Sequence, residues 1–373
     1  MGLRRLSSFS WLIGLAIATS GCGGGRSPSS SGSQPTSLSG AVDPVVKTAM
    51  QQQGIPGMTV ALAKNGSMLY VQAYGVSDTV THLAAQPGTT FEIGSITKQF
   101  TAAVIMKLQE QGKLHVDDSV NTYLPEYKFP AAITLRMLLT HTAGLANYTG
   151  FAPYPGWAVN GVSEATVLNA VSQAPLLFTP GTQWSYSNSN YFALGAIIEK
   201  VSGQSYPENL AEYIFQPLAL TNTYYSLPPS GQSAIGYTGN ASYQEPALVV
   251  DRSAPFAAGA LSSNVNDLVT WDNALIHGKV VTTASFAAMT TPVGVSVTAG
   301  TPYGFGLGLR TFNGRPTIWH NGAINGFTAD TNVLLDTGFA VVVLTNTDAA
   351  NPDAIALQIM SAVCNSSQLS SNC

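Results

Sequence analysis

Residues 97–111 constrain the fold more than any other stretch. Phe100, Val104 and Leu108 recur at helical spacing, and 102–106 is a nearly unbroken apolar run. A helix with that pattern is buried on most sides, so other elements must surround it. Gly112 stands where a terminating glycine belongs. Hydrophobic residues make up 45% of the 373-residue chain and charged residues only 9%, so surface polarity comes largely from Ser, Thr, Asn and Gln. The length suits one large domain or two interleaved ones. With 15 basic and 19 acidic residues the net charge is −4, and no Lys/Arg cluster occurs. Nucleic acid and other polyanions are therefore poor partners.

The fold is expected to begin near Val42, with a helix over 45–53 stopped by Gly54. Residues 56–63 and 68–74 read as strands around the turn Asn65-Gly66, a strong hairpin signal. From 116 to 220 short helices alternate with Pro- and Gly-marked loops, and 191–201 is a further apolar helix stopped by Ser202-Gly203. Residues 303–310, 317–319, 328–335 and 339–345 read as strands, and 352–363 as a closing helix. Strands at both ends with helices between predict an α+β chain, its sheet built from both termini around an inserted helical region. No internal repeat is visible.

Residues 1–21 read as a lipoprotein-type signal peptide. Arg4 and Arg5 form a positive start, 11–18 is mostly apolar but too short to span a bilayer, and Thr19-Ser20-Gly21 precedes Cys22 as in a bacterial lipobox. Thr19 stands where an aliphatic residue is usual, so an ordinary signal peptide or a retained anchor are the alternatives. Residues 22–41 are a Gly/Ser/Pro-rich tether, 42–363 the folded domain and 364–373 a tail. With Cys22 lipidated, Cys364 and Cys373 remain, and export favours a disulfide closing a short terminal loop. Every version places the protein outside the cytoplasm, in the bacterial cell envelope or secreted. No later segment has the run of apolar residues expected of a membrane span.

Three short motifs bear on chemistry. Ser95-Ile96-Thr97-Lys98 opens the buried helix after Gly94. Residues three apart share a helix face, so hydroxyl and amine can meet. A serine needs a base to become a nucleophile, and burial lowers a lysine's pKa enough to supply one. Free N–H groups at the helix start suit an oxyanion. Alone, this is an ordinary N-cap serine with a solvated lysine. Tyr186-Ser187-Asn188 follows Pro180-Gly181: a tyrosine near a cation can move protons, and an asparagine can hold a lysine and a substrate carbonyl. Alone, it is a polar turn before a helix. His320-Asn321-Gly322 follows the strand ending at Trp319. A glycine there lets substrate lie against the strand edge, and Ala323 can donate a second oxyanion N–H. Alone, the histidine is structural.

Together, in this order and spacing, the three motifs resemble those of the β-lactamase and penicillin-binding protein superfamily of active-site serine enzymes. Tyr-x-Asn as second motif is similar to class C β-lactamases, D-Ala-D-Ala carboxypeptidases and related esterases. FEIGSITKQFTAAVIMKLQEQGKLHVDD, LLTHTAGL, PGTQWSYSNSNYFALGAIIEKVSG and AAGALSSNVNDL carry the resemblance across about 56–345. It implies a central antiparallel sheet flanked by helices, with the site in the cleft beside an inserted helical region. It implies acylation of Ser95, proton transfer by Lys98 and Tyr186, and Asn188 positioning Lys98 and the acyl group. The N–H groups of Ser95 and Ala323 would form the oxyanion hole, with no metal or organic cofactor. His141, in LLTHTAGL, is read as structural. The aromatic loop 147–157, with Tyr148, Phe151, Tyr154 and Trp157, lines the cleft or simply packs.

One departure matters: His320 replaces the lysine of class C β-lactamases and, neutral near pH 7, attracts a substrate carboxylate less. Substrates left open are D-Ala-D-Ala peptides, β-lactams and carboxylic esters. The competing reading is a non-catalytic or acylation-only penicillin-binding lipoprotein. Tyr303-Gly-Phe-Gly-Leu-Gly308 has the wrong spacing for a dinucleotide site, and its alternating glycines suggest close backbone packing.

Overall fold

The computed structural model describes residues 35–225 and 231–373. The expected signal peptide, Cys22 and most of the expected tether lie outside them. Seven strands form one antiparallel sheet: β1 (Gly57–Lys64), β2 (Ser67–Asp78), β3 (Leu83–Ala84), β4 (Gly308–Phe312), β5 (Arg315–Ile324), β6 (Phe327–Leu334) and β7 (Phe339–Thr345), in the order β3-β2-β1-β7-β6-β5-β4. The sheet is thus built from both ends of the chain, as expected. The β1–β2 turn has Asn65 and Gly66 both at positive φ, 49° and 76°, the backbone that a tight two-residue hairpin requires.

Alternation along the central strands sends side chains to two cores. On one face Met58, Val60, Leu62, Val341 and Val343 pack with helices α1 (Leu38–Gln53) and α5 (Pro352–Cys364). On the other, Ala61, Ala63, Val342 and Leu344 join a larger core containing α2 (Thr97–Glu110), α3 (Asn188–Ser202) and α4 (Val265–Ile276). The helical region, including Leu135–Leu139, Glu164–Gln173, α3 and Tyr206–Leu210, is inserted between α2 and α4.

Every residue of α2 from Thr97 to Met106 is buried, so its polar side chains must find partners. Gln99 Oε1 accepts from Trp271 Nε1 at 2.8 Å, Thr101 Oγ1 donates to Ala257 O at 2.7 Å, and Phe100 stacks on Trp271 with centroids 3.9 Å apart.

Three boundaries differ from expectation. Helix α1 starts at Leu38, not 45, and its first turn takes over the end of the expected tether. Pro44 lies inside it, but buried Val42, Val46 and Ala49 keep one stripe on the sheet. Only Gly308 onward of the expected strand 303–310 is strand. Gly306 instead has φ 70° and passes so close to α2 that a methyl group there would come 2.6 Å from Lys98 O. Strand β5 runs on to Ile324, so His320 is mid-strand rather than at a strand end. The tail is packed, with Cys364 bonded to Cys373 at a Cα–Cα distance of 5.5 Å and Arg315 Nη2 donating to Cys373 O at 2.9 Å.

Just past β7, fully buried Asn346 rivets three segments. Its Oδ1 accepts from Gly57 N at 2.7 Å, and its Nδ2 donates to Val76 O at 3.2 Å and Ile235 O at 3.1 Å. Replacing it with alanine strands these buried groups, so Asn346→Ala should cost about 3 kcal/mol, read as a lower urea midpoint at unchanged slope.

Candidate active site

The backbone before α2 places Ser95. Ile93 N bonds Leu261 O at 2.9 Å, Gly94 turns at φ 49°, and Gly94–Ile96 form a single tight turn that leads into α2. Ser95 is half-buried there. One helical turn later Lys98 is completely buried, and its Nζ lies 2.9 Å from Ser95 Oγ, 2.8 Å from Asn188 Oδ1 and 2.6 Å from Ala258 O. No carboxylate pairs with it among the described residues, and burial pushes the amine well below the usual lysine range. A neutral amine has two N–H bonds and one lone pair. The two carbonyl oxygens can only accept, so they take the N–H bonds and leave the lone pair for the Ser95 hydroxyl. That is the geometry of a general base on its nucleophile.

Tyr186 flanks this pair, its ring 4.9 Å from Lys98 Nζ. Its hydroxyl is buried beside that of Ser95. Burial drives the phenol pKa up, only partly offset by the nearby Ser95 hydroxyl, so Tyr186 stays protonated as a proton donor. Asn188 is the first residue of α3, and its N–H donates to Asn147 Oδ1 at 3.1 Å. In the aromatic loop after Asn147, Tyr148 is buried, with its ring 5.7 Å from that of Tyr154, while Phe151, Tyr154 and Trp157 pack on the larger core and stay partly exposed.

Strand β5 completes the site. Its pairing with β4 stops at Trp319, so from His320 to Ile324 only the β6 side is hydrogen-bonded and the other edge is open. Here β5 lies tight against the nucleophile turn. A methyl group on Gly94 would come 2.7 Å from Ala323 N, and one on Gly322 would overlap Ile93 O and lie 3.2 Å from Ser95 N. Glycine at both positions therefore brings together the segments carrying the Ser95 and Ala323 N–H groups.

His320, expected to contact substrate, is committed elsewhere. It is buried, its Nδ1 donates to Asn321 O at 2.6 Å, and its Nε2 accepts from Tyr303 Oη at 2.8 Å. Neither ring nitrogen is left for a substrate. Burial lowers its pKa to about 3, so it is neutral at any ordinary pH.

Two residues that sequence reasoning missed brace this arrangement. Arg252 pairs with Glu92 at 3.1 Å, both largely buried, and donates to Ala260 O and Ser262 Oγ at 3.1 Å each. It thereby ties the two-residue strand Phe91–Glu92, just before Ser95, to the segment whose Ala258 carbonyl holds Lys98. A carboxylate three residues before the nucleophile, in a chain so poor in charge, was the available signal.

A family model described as Beta-lactamase matches residues 42–359. The chain belongs to the Beta-lactamase family. It is a hydrolase of that family by its likeness to characterised members. It is 28% identical over 302 residues to the "Putative penicillin-binding protein PbpX" of Bacillus subtilis, covering 80% of this chain and 72% of that protein. "Protein flp" of Staphylococcus aureus is 32% identical over 203 residues, 52% of this chain but only 40% of that protein. Among solved structures, a D-stereospecific amidohydrolase from Streptomyces sp. superposes with TM-score 0.76 at 26% identity, covering 87% of this chain and 98% of that one. EstCE1, a hydrolase with promiscuous acyltransferase activity, gives TM-score 0.77 at 26% identity with the same coverages.

With Lys98 acting as the base, which requires the neutral amine, activity should be lost as pH falls through its depressed pKa and should hold on the alkaline side, where Tyr186 keeps its proton. A pH profile of kcat/KM checks this. Lys98→Arg, charged at every pH, should lower kcat by about 10²–10⁴.

Proposed function

We propose that this protein is an exported serine hydrolase that cleaves amides or esters through an acyl-enzyme on Ser95. The observation that carries the reading is the Lys98 amine, buried without a carboxylate and 2.9 Å from Ser95 Oγ. Lys98 takes the serine proton as Oγ attacks the substrate carbonyl. The N–H groups of Ser95 and Ala323 face the developing oxyanion. Tyr186 gives its proton to the leaving amine or alcohol and recovers one from Lys98. Water then attacks the acyl-enzyme by the reverse proton path, releasing the acid and Ser95.

The substrate class follows from His320. In neutral form, with both nitrogens bonded inside the protein, it supplies no charge for a substrate carboxylate. The site therefore favours substrates without a free carboxylate: esters, and amides of the kind named for the Streptomyces amidohydrolase. β-Lactams and peptides that depend on a free carboxylate are poorer substrates. Export rests on the sequence reading of residues 1–22, with lipid attached at Cys22.

The purified protein should hydrolyse p-nitrophenyl acetate or butyrate, and Ser95→Ala should remove that activity. Full activity in Ser95→Ala would sink the nucleophile assignment. Intact mass after mixing with a labelled penicillin separates the alternatives. No adduct fits the proposed substrate class, rapid turnover indicates a β-lactamase, and a long-lived adduct on Ser95 indicates a carboxypeptidase or an acylation-only protein. Cys22→Ala should move the protein from the membrane to the soluble fraction.

A further inference from the structure

His141 follows the helix Leu135–Leu139, fully buried and in the left-handed region at φ 60°. It grips the main chain on both sides of Tyr186. Its carbonyl oxygen accepts from Ser185 N at 3.0 Å, and its ring Nδ1 accepts from Ser187 N at 3.3 Å. Asn190 Nδ2 also lies 2.9 Å from Nδ1. A main-chain N–H can only donate, so Nδ1 is the bare nitrogen and the ring proton sits on Nε2. The imidazole lies against the Tyr186 ring, centroids 4.3 Å apart, with Tyr303 on another side at 4.9 Å. Burial holds the ring neutral.

Left-handed backbone is costly for a side chain of this size, yet here it lets one residue present its carbonyl and its ring to the same short segment. We propose that His141 is a positioning residue for the hydrolysis. By bonding the residues before and after Tyr186 and packing on its ring, it fixes the phenol against Ser95 and Lys98. Through Ser187 and Asn190 it also fixes where Asn188 enters α3. This role rests on the proton transfer by Lys98 and Tyr186 proposed above. The carbonyl bond to Ser185 survives any substitution at 141, so side-chain variants test the ring alone.

The test compares His141→Ala and His141→Asn in the full chain by steady-state p-nitrophenyl ester hydrolysis, with thermal melting to check folding. Asparagine tolerates positive φ and offers Oδ1 near the place of Nδ1. The alanine variant should lose roughly 10- to 100-fold in kcat with KM within about twofold, since a misplaced catalytic group costs rate rather than binding. The asparagine variant should recover kcat to within about fivefold of the parent. An alanine variant with unchanged kcat, or a folded asparagine variant as impaired as alanine, overturns the role. If the alanine variant does not fold, the asparagine variant decides: recovery supports the role and a larger loss overturns it. A Ser95→Ala control separates the two levels. Activity there overturns the nucleophile and this role with it, whereas an inert Ser95→Ala beside a fully active His141→Ala overturns the role alone.

Discussion

Everything at this site depends on one buried amine. An ammonium enclosed as Lys98 is would carry a desolvation cost that nothing in its surroundings offsets, because its neighbours are a hydroxyl and two carbonyl oxygens rather than a carboxylate. The fold meets that constraint by favouring the uncharged form, which is the form that can take a proton from serine. The apolar packing of α2 is therefore part of the chemistry. The residues that exclude water from the start of the helix also set the charge state of Lys98.

The neighbours of that amine come from distant parts of the chain. Asn188 begins α3, Ala258 lies before α4, and Ser95 precedes α2. Arg252 and Glu92 close the circuit by joining two of these segments. Glycines 94, 306 and 322 let backbone approach backbone where a side chain would force them apart. The open edge of β5 beside this cluster follows from β4 ending its pairing at Trp319. On the proposed mechanism a substrate adds itself to the sheet there with its carbonyl next to Ser95.

Much of this was legible because it is local. The apolar run of α2, the three-residue spacing of Ser95 and Lys98, and the Asn65-Gly66 turn each announce their geometry within a few residues. The order of the three motifs made a candidate site of parts that alone read as ordinary turns and helix starts. What escaped was non-local or disguised. Asn321-Gly322 looks like the end of a strand, yet the glycine is there because Ile93 O presses on it, and β5 continues. Pro44 hid the true start of α1. His320 read as a substrate contact because its partner Tyr303 reaches it only through the glycine-rich loop over α2. The grip of His141 on Tyr186 depends on a left-handed backbone angle that no histidine in a sequence reveals.

Helices α1 and α5 share the face of the sheet opposite the larger core that holds Lys98, and Ser366 Oγ donates to Pro35 O at 3.2 Å. The described chain thus enters the domain at its back. The layer that meets the incoming chain is therefore a different one from the layer whose packing keeps water from Lys98.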